Sequence, residues 1–135
     1  MKNSNIDIFD RKALQQHRDR AASNFREHDF LFRRINVQLS ERLKIIKKQF
    51  NSALDLGCHT GQLGKVVSRR NKIQNIVYCD ISCEMARSCP MPRLVADEEE
   101  MPFKDNSFDV VISSLSLHWV NNLPAALLEI ARCLK

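Results

Sequence analysis

The sequence has no apolar run approaching the roughly 18 residues needed to cross a bilayer, so no transmembrane segment is expected. Its first residues, MKNSNIDIFDRKALQQ, lack an apolar core and carry Asp7 and Asp10. Neither a secretory signal nor an organellar presequence fits that stretch, and the cytoplasm is the expected compartment. The five cysteines, Cys58, Cys79, Cys83, Cys89 and Cys133, include no C-x-x-C pair. That spacing speaks against a disulfide framework and a standard zinc site, so reduced thiols packing on strand and helix are expected, with no metal site. No line of stacking aromatics accompanies the basic residues, although these are unevenly placed: twelve basic and six acidic side chains fall in residues 1–52, leaving nine and ten beyond. A solvated helical face is therefore expected there rather than a nucleic-acid surface.

What is present is a composition of 44% apolar and 27% charged residues over 135 positions, which suits one soluble globular domain. The expected division is an N-terminal helical extension over 1–50 and an α/β portion over 51–135. Lys12 to Ala22 are helix formers with few apolar positions, so a surface helix or loosely docked segment is predicted. Phe30, Leu31, Ile35, Leu39, Leu43 and Ile46 recur at helical spacing and predict a longer helix. After Asn51 short apolar strands alternate with helices. Strands are predicted at Ala53 to Leu56, Asn75 to Cys79, Arg93 to Val95 and Phe108 to Ser113. Helices are predicted at Gly61 to Arg70, Cys83 to Arg87 and Pro124 to Leu134, the last opened by Asn122 or Leu123. That order requires right-handed crossovers and predicts a Rossmann-like, doubly wound parallel sheet with ligands bound beyond the carboxyl ends of its strands.

Three motifs follow strands. Leu54-Asp55-Leu56-Gly57-Cys58-His59-Thr60-Gly61 runs from strand into a glycine-bearing turn, where a ligand can lie against backbone N–H groups. His59 stands where a G-x-G-x-x-G fingerprint would place its second glycine, which weakens a dinucleotide assignment. Asp80 ends the next strand, 25 residues after Asp55, where a carboxylate can accept both hydroxyls of a ribose. Ser82 competes for the alternative role of helix cap. Asp97 and Glu98 follow the third strand, placed to accept from an adenine amino group, with Met101 and Phe103 apolar enough to wall the ring.

Taken in order, Asp55-Leu56-Gly57-Cys58-x-Thr60-Gly61, Cys79-Asp80-Ile81-Ser82, Ala96-Asp97-Glu98-x-x-Met101-Pro102-Phe103 and Asn106 to Val111 resemble the successive motifs of class I S-adenosylmethionine-dependent methyltransferases. The stretch Ser113 to Pro124, with Leu117-His118-Trp119 inside it, is similar to two branches. One is the methyltransferase-like complex I assembly factors that modify a protein arginine. The other is the malonyl-carrier-protein O-methyltransferases of biotin synthesis. Ile8-Phe9-Asp10-Arg11 adds weight to the first.

The resemblance implies S-adenosyl-L-methionine as cofactor. The backbone around Asp55, Gly57, His59 and Gly61 would hold its methionine part. Asp80 and Ile81 would bind the ribose, Asp97 and Glu98 the adenine, and Ser113 and Ser114 would floor the sulfonium. Transfer in this fold rests on positioning, and His118 is the candidate base where one is needed. The methyl acceptor would be a small acid, a carrier-bound acyl group or a protein. Protein-arginine hydroxylation and an inactive remnant serving as a binding module are the alternatives. A complete sheet of this class continues past the fourth strand, so Phe108 to Ser113 is expected as an exposed edge through which the chain self-associates.

Overall fold

The computed structural model describes residues 7–135. The order is α1 (Arg11–Ala21), a 3-10 segment (Ala22–Glu27), α2 (Phe30–Ile45), β1 (Ser52–Leu56), α3 (Gln62–Asn71), β2 (Asn75–Asp80), α4 (Cys83–Arg87), β3 (Arg93–Val95), β4 (Val110–Ile112), a 3-10 turn (Leu117–Trp119) and α5 (Leu123–Cys133). Three helix starts are fixed by side chains. Asp10 accepts from Ala13 N at 3.0 Å, Ser82 from Met85 N at 3.1 Å and Asn122 from Ala125 N at 3.0 Å. Each satisfies an N–H that the first helical turn leaves unpaired.

The strands form one parallel sheet in the order β3-β2-β1-β4. The chain runs outward from β1 through β2 to β3, then crosses back to place β4 on the other side of β1. The order therefore reverses between β1 and β4, which is where open sheets of this kind leave a ligand crevice. Alternate residues of β1 feed two cores. Ala53 packs with Leu63, Val67, Ile73, Ile76 and Tyr78 on one face. Leu54 and Leu56 pack with Cys79, Met101, Phe108 and Cys133 on the other. Helices thus cover both faces, as parallel sheets require.

Four expectations change. Strand β4 is shorter than Phe108 to Ser113, because Asp109 turns its carboxylate onto the N–H groups of Asn51 and Ser52 at 2.8 and 2.9 Å. Phe108 pairs with the end of the chain instead, accepting from Lys135 N at 3.0 Å. Helix α1 is not loosely docked, since Arg18 on it is only 6% exposed. Nor is the basic N-terminal excess all solvated, because Arg11 and Arg18 both turn inward onto acids. In α2 the apolar stripe only half serves the domain: Phe30, Leu31 and Val37 are exposed while Asn36 and Ser40 are buried. The reason is a polar contact with α3, where Ser40 Oγ donates to Asn71 Oδ1 at 2.7 Å and Asn71 Nδ2 donates to the Ser40 carbonyl at 3.1 Å.

Candidate ligand site at the carboxyl ends of the strands

Strand β1 ends in the turn Gly57 to Gly61. Gly57 and Gly61 have φ of +65° and +80°, and His59 adopts +50° between them. A side chain in the left-handed region costs energy that glycine avoids, so His59 is held there by its surroundings. Its ring stacks on Phe25 with centroids 5.5 Å apart and meets the edge of Phe32 at 4.6 Å. Burial, assisted by the Arg18 charge, pushes its pKa down to about 3, so the imidazole is neutral at physiological pH.

Asp55 is buried beneath this turn. Its Oδ2 accepts from Gly64 N at 3.0 Å, while Oδ1 has no partner. Burial raises its pKa to about 7, against the lowering effect of the Gly64 N–H, with Asp80 adding to the rise. Asn36 Oδ1, Thr60 Oγ1, Gln62 Oε1 and Ser114 Oγ are likewise buried and unpaired. All five residues line one cavity. Buried polar atoms are rarely left unsatisfied, so five converging on one cavity mark a place built for a polar guest.

Asp80, at the end of β2, is 1% exposed. Its Oδ1 accepts from Ser82 N at 2.9 Å and its Oδ2 from His59 N at 2.9 Å, which ties the turn after β1 to the end of β2. Arg18 Nη1 lies 3.2 Å from both oxygens, and Arg18 Nη2 donates to Ser116 Oγ at 3.0 Å. Ser116 Oγ in turn donates to Glu98 Oε1 at 2.9 Å. Arg11 Nη2 closes the chain by donating to Glu98 Oε2 and, at 2.9 Å, to Asp97 Oδ1. Of the two residues considered for the helix cap, Ser82 takes it, and Asp80 accepts from Ser82 N instead.

The sequence-based site residues Asp55, Gly57, His59, Gly61, Asp80, Asp97, Glu98, Ser113 and Ser114 are brought to one end of the sheet. Ser113 Oγ donates to the Leu56 carbonyl at 2.8 Å, locking the loop after β4 to the end of β1. Ile81 is half-buried beside Asp80. His118 is exposed, its ring tilted 44° on Trp119 at 5.1 Å. It borders a groove of about 410 Å³ that also touches Leu14, Phe25, Phe32, Met85 and Trp119. Sequence reasoning missed Arg11, Arg18, Asn36 and Ser116. A signal existed for the arginines, since a spacing of seven residues is two helical turns and puts both on one face. Among the described residues no group of His, Cys, Asp and Glu is arranged to hold a metal ion.

A parallel sheet with acids at the ends of β1 and β2, another just past β3, and a glycine-bearing turn at its switch point is the arrangement of a Rossmann-like methyltransferase fold. Residues 54–135 match the methyltransferase domain family, and the chain belongs to it. Over 96% of its length it is 36% identical to the human mitochondrial arginine-hydroxylase NDUFAF5 and 34% identical to that of Danio rerio. It is 31% identical over 95% of its length to the malonyl-[acyl-carrier protein] O-methyltransferase of Gallionella capsiferriformans. The chain spans 39%, 42% and 49% of those relatives respectively. An S-adenosyl-L-methionine-dependent methyltransferase structure from Methanococcus maripaludis superposes with a TM-score of 0.75 at 21% identity, covering 87% of this chain and 59% of that one. The protein solved in complex with the Haloferax volcanii Trm112 methyltransferase activator gives 0.74 at 24% identity, covering 87% and 55%. S-adenosylmethionine is the cofactor of this class. The unpaired acceptors around Asp55 fit an ammonium group such as its amino-acid end carries, whereas the carboxylates of Asp80 and Asp97 are held here by Arg18 and Arg11.

Proposed function

We propose that the chain is the cofactor-binding part of an S-adenosylmethionine-dependent methyltransferase whose acceptor is a small acid, a carrier-bound acyl group or a protein. The observation that carries this is the cavity beside Asp55, where buried acceptors without partners meet the turn between β1 and α3. The bound cofactor supplies an electrophilic methyl group that needs no further activation. The work left to the protein is positioning.

Asp80 is placed to accept the ribose hydroxyls, and Asp97 with the Glu98 backbone to read adenine. Asp55, with Asn36, is placed to accept from the ammonium group. His59 is neutral at physiological pH, so the turn adds no cation beside a cationic sulfonium. Ser113 holds the loop after β4 against Leu56, which fixes the floor on which the acceptor approaches. The groove bordered by Phe25, Phe32, Met85 and Trp119 opens next to His59 and suits an acceptor with an apolar body. His118 at its rim is the candidate base for acceptors that lose a proton on methylation; a carboxylate acceptor needs none.

The similarity to arginine hydroxylases over nearly the whole chain supports a second reading, oxygenation of a protein arginine. Radiolabelled methyl transfer from the cofactor, set against an oxygen-dependent mass gain on an arginine peptide, separates the two. Cofactor binding without either product favours a binding module. No described helix is long and apolar enough to cross a membrane. We place the protein in the cytoplasm, whereas the two relatives named as arginine hydroxylases are mitochondrial; immunolocalisation of the tagged protein decides.

A further inference from the structure

Every acceptor position of the Asp80 carboxylate is in use. A carboxylate offers about four lone-pair sites. Ser82 N and His59 N take one on each oxygen, and Arg18 Nη1 lies against both oxygens at 3.2 Å. A ribose diol would arrive at a group with nothing left to accept it. The same guanidinium donates from its other nitrogen to Ser116 Oγ. That hydroxyl lies only 2.0 Å from where a Cβ on Gly57 would stand, so the bare face of the glycine is already covered. The free space against Asp55, Gly57 and Ser114 is about 10 Å³, room for about one water-sized group, whereas small-molecule sites run to roughly 300 Å³ or more. Two turns earlier on the same helix face, Arg11 spans Asp97 and Glu98.

We propose, resting on the cofactor reading above, that helix α1 is a plug carried in cis: Arg18 and Arg11 occupy the ribose and adenine acids, and the cofactor binds by displacing them. The acids then serve two mutually exclusive ligands, a guanidinium of the same chain and a nucleoside. Ser116 and Glu98 couple the two arginines, because the Ser116 hydroxyl accepts from Arg18 and donates to Glu98, which Arg11 holds on its other oxygen. Releasing Arg18 therefore frees Ser116 to leave Gly57 and loosens Arg11 as well. Helix α1 is anchored at its start by Asn121, whose side chain pairs with both backbone groups of Phe9 at 2.7 and 3.0 Å. Displacement is accordingly a swing about residue 9 rather than loss of the segment.

The test is calorimetric titration of the full chain with S-adenosylhomocysteine, in wild type, Arg18→Ala and Arg18→Lys. A plug predicts opposite signs: Arg18→Ala unfolds at lower urea yet binds the ligand about tenfold tighter or more, with Arg18→Lys between the two. A second readout needs no variant, and it stands even if Arg18→Ala does not fold. Amide hydrogen exchange along residues 11–21 of the wild type should quicken when the ligand saturates it. Weaker or unchanged binding in Arg18→Ala, or α1 amides equally or better protected in the complex, overturns the plug while leaving the cofactor reading intact. No binding by wild type and variant alike overturns both.

Discussion

Arg18 and Asp80 stand 62 residues apart in the chain, and one nitrogen of the first lies 3.2 Å from both carboxylate oxygens of the second. Both side chains are buried, at 7% and 0% exposure, and the pair ties α1 to the end of β2. Removing one partner of a buried pair leaves the other charge uncompensated, which typically costs about 3–5 kcal/mol. Asp80 keeps two backbone donors when Arg18 is gone, so Arg18→Ala should lose about 3 kcal/mol, at the low end. Urea unfolding of the free chain measures this; a loss below about 1 kcal/mol would show the pair to be dispensable.

Asp55 and His59 set opposing pH dependences. Asp55 has a folded pKa of about 7, above its unfolded value, so the folded state binds the extra proton between about pH 4 and 7. Its contribution to stability falls as pH rises through that window. His59 has a folded pKa of about 3, below its unfolded value, so stability is lost as pH falls from about 6.5 towards 3. Relative to wild type, Asp55→Asn should gain stability as pH rises from 4 to 7, and His59→Asn should gain as pH falls over the same range. Asparagine tolerates the positive φ that His59 adopts, so the His59 substitution adds little strain. Denaturant midpoints at pH 4, 5, 6 and 7 decide; parallel curves for wild type and variants would contradict both assignments.

Asp97→Ala should weaken S-adenosylhomocysteine binding less than Asp80→Ala does. The Asp97 side chain is 35% exposed, so water replaces what it offers, whereas Asp80 is sealed. Side-by-side titrations giving equal losses would reverse that ranking.

Strand β4 lies at the edge of the sheet, and Val110, Val111 and Ile112 give it no charge to deter pairing. Next to it, Leu39, Leu43 and Ile46 of the α2 region border an apolar groove of about 240 Å³. The 135-residue chain should therefore self-associate, and Val111→Lys should return it to monomer. Light scattering that shows a monodisperse wild-type monomer would refute the edge argument.

Periodicity and turn chemistry made most of the fold legible. The limits of α4 and β3 match the sequence expectation to the residue, and Asn122 caps α5 as one of its two predicted openings. The acids at the strand ends were legible for the same reason, since in a parallel sheet position along a strand fixes which end of the sheet a residue reaches. What was hidden depends on contacts between distant segments. Nothing local to Arg18 says that it reaches Asp80, and a helix with mean polarity as high as that of α1 reads as solvent-facing. The length of β4 was overestimated because Asp109 satisfies two backbone donors with its side chain, a choice invisible to an alternation pattern. His59 carries its positive φ at a position where sequence alone favours glycine, and its aromatic neighbours Phe25 and Phe32 come from a segment that no motif marks.

Calorimetry of S-adenosylhomocysteine with wild type and Asp80→Ala tests most directly whether Asp80 is the ribose-binding carboxylate of a cofactor site. Loss of a charge-assisted contact to a diol should cost about 1.5–3 kcal/mol, a fall in affinity of roughly tenfold to over a hundredfold. Measured on an Arg18→Ala background, where competition for the carboxylate is removed, the loss should be at least as large. Affinity unchanged by Asp80→Ala on both backgrounds would contradict the account.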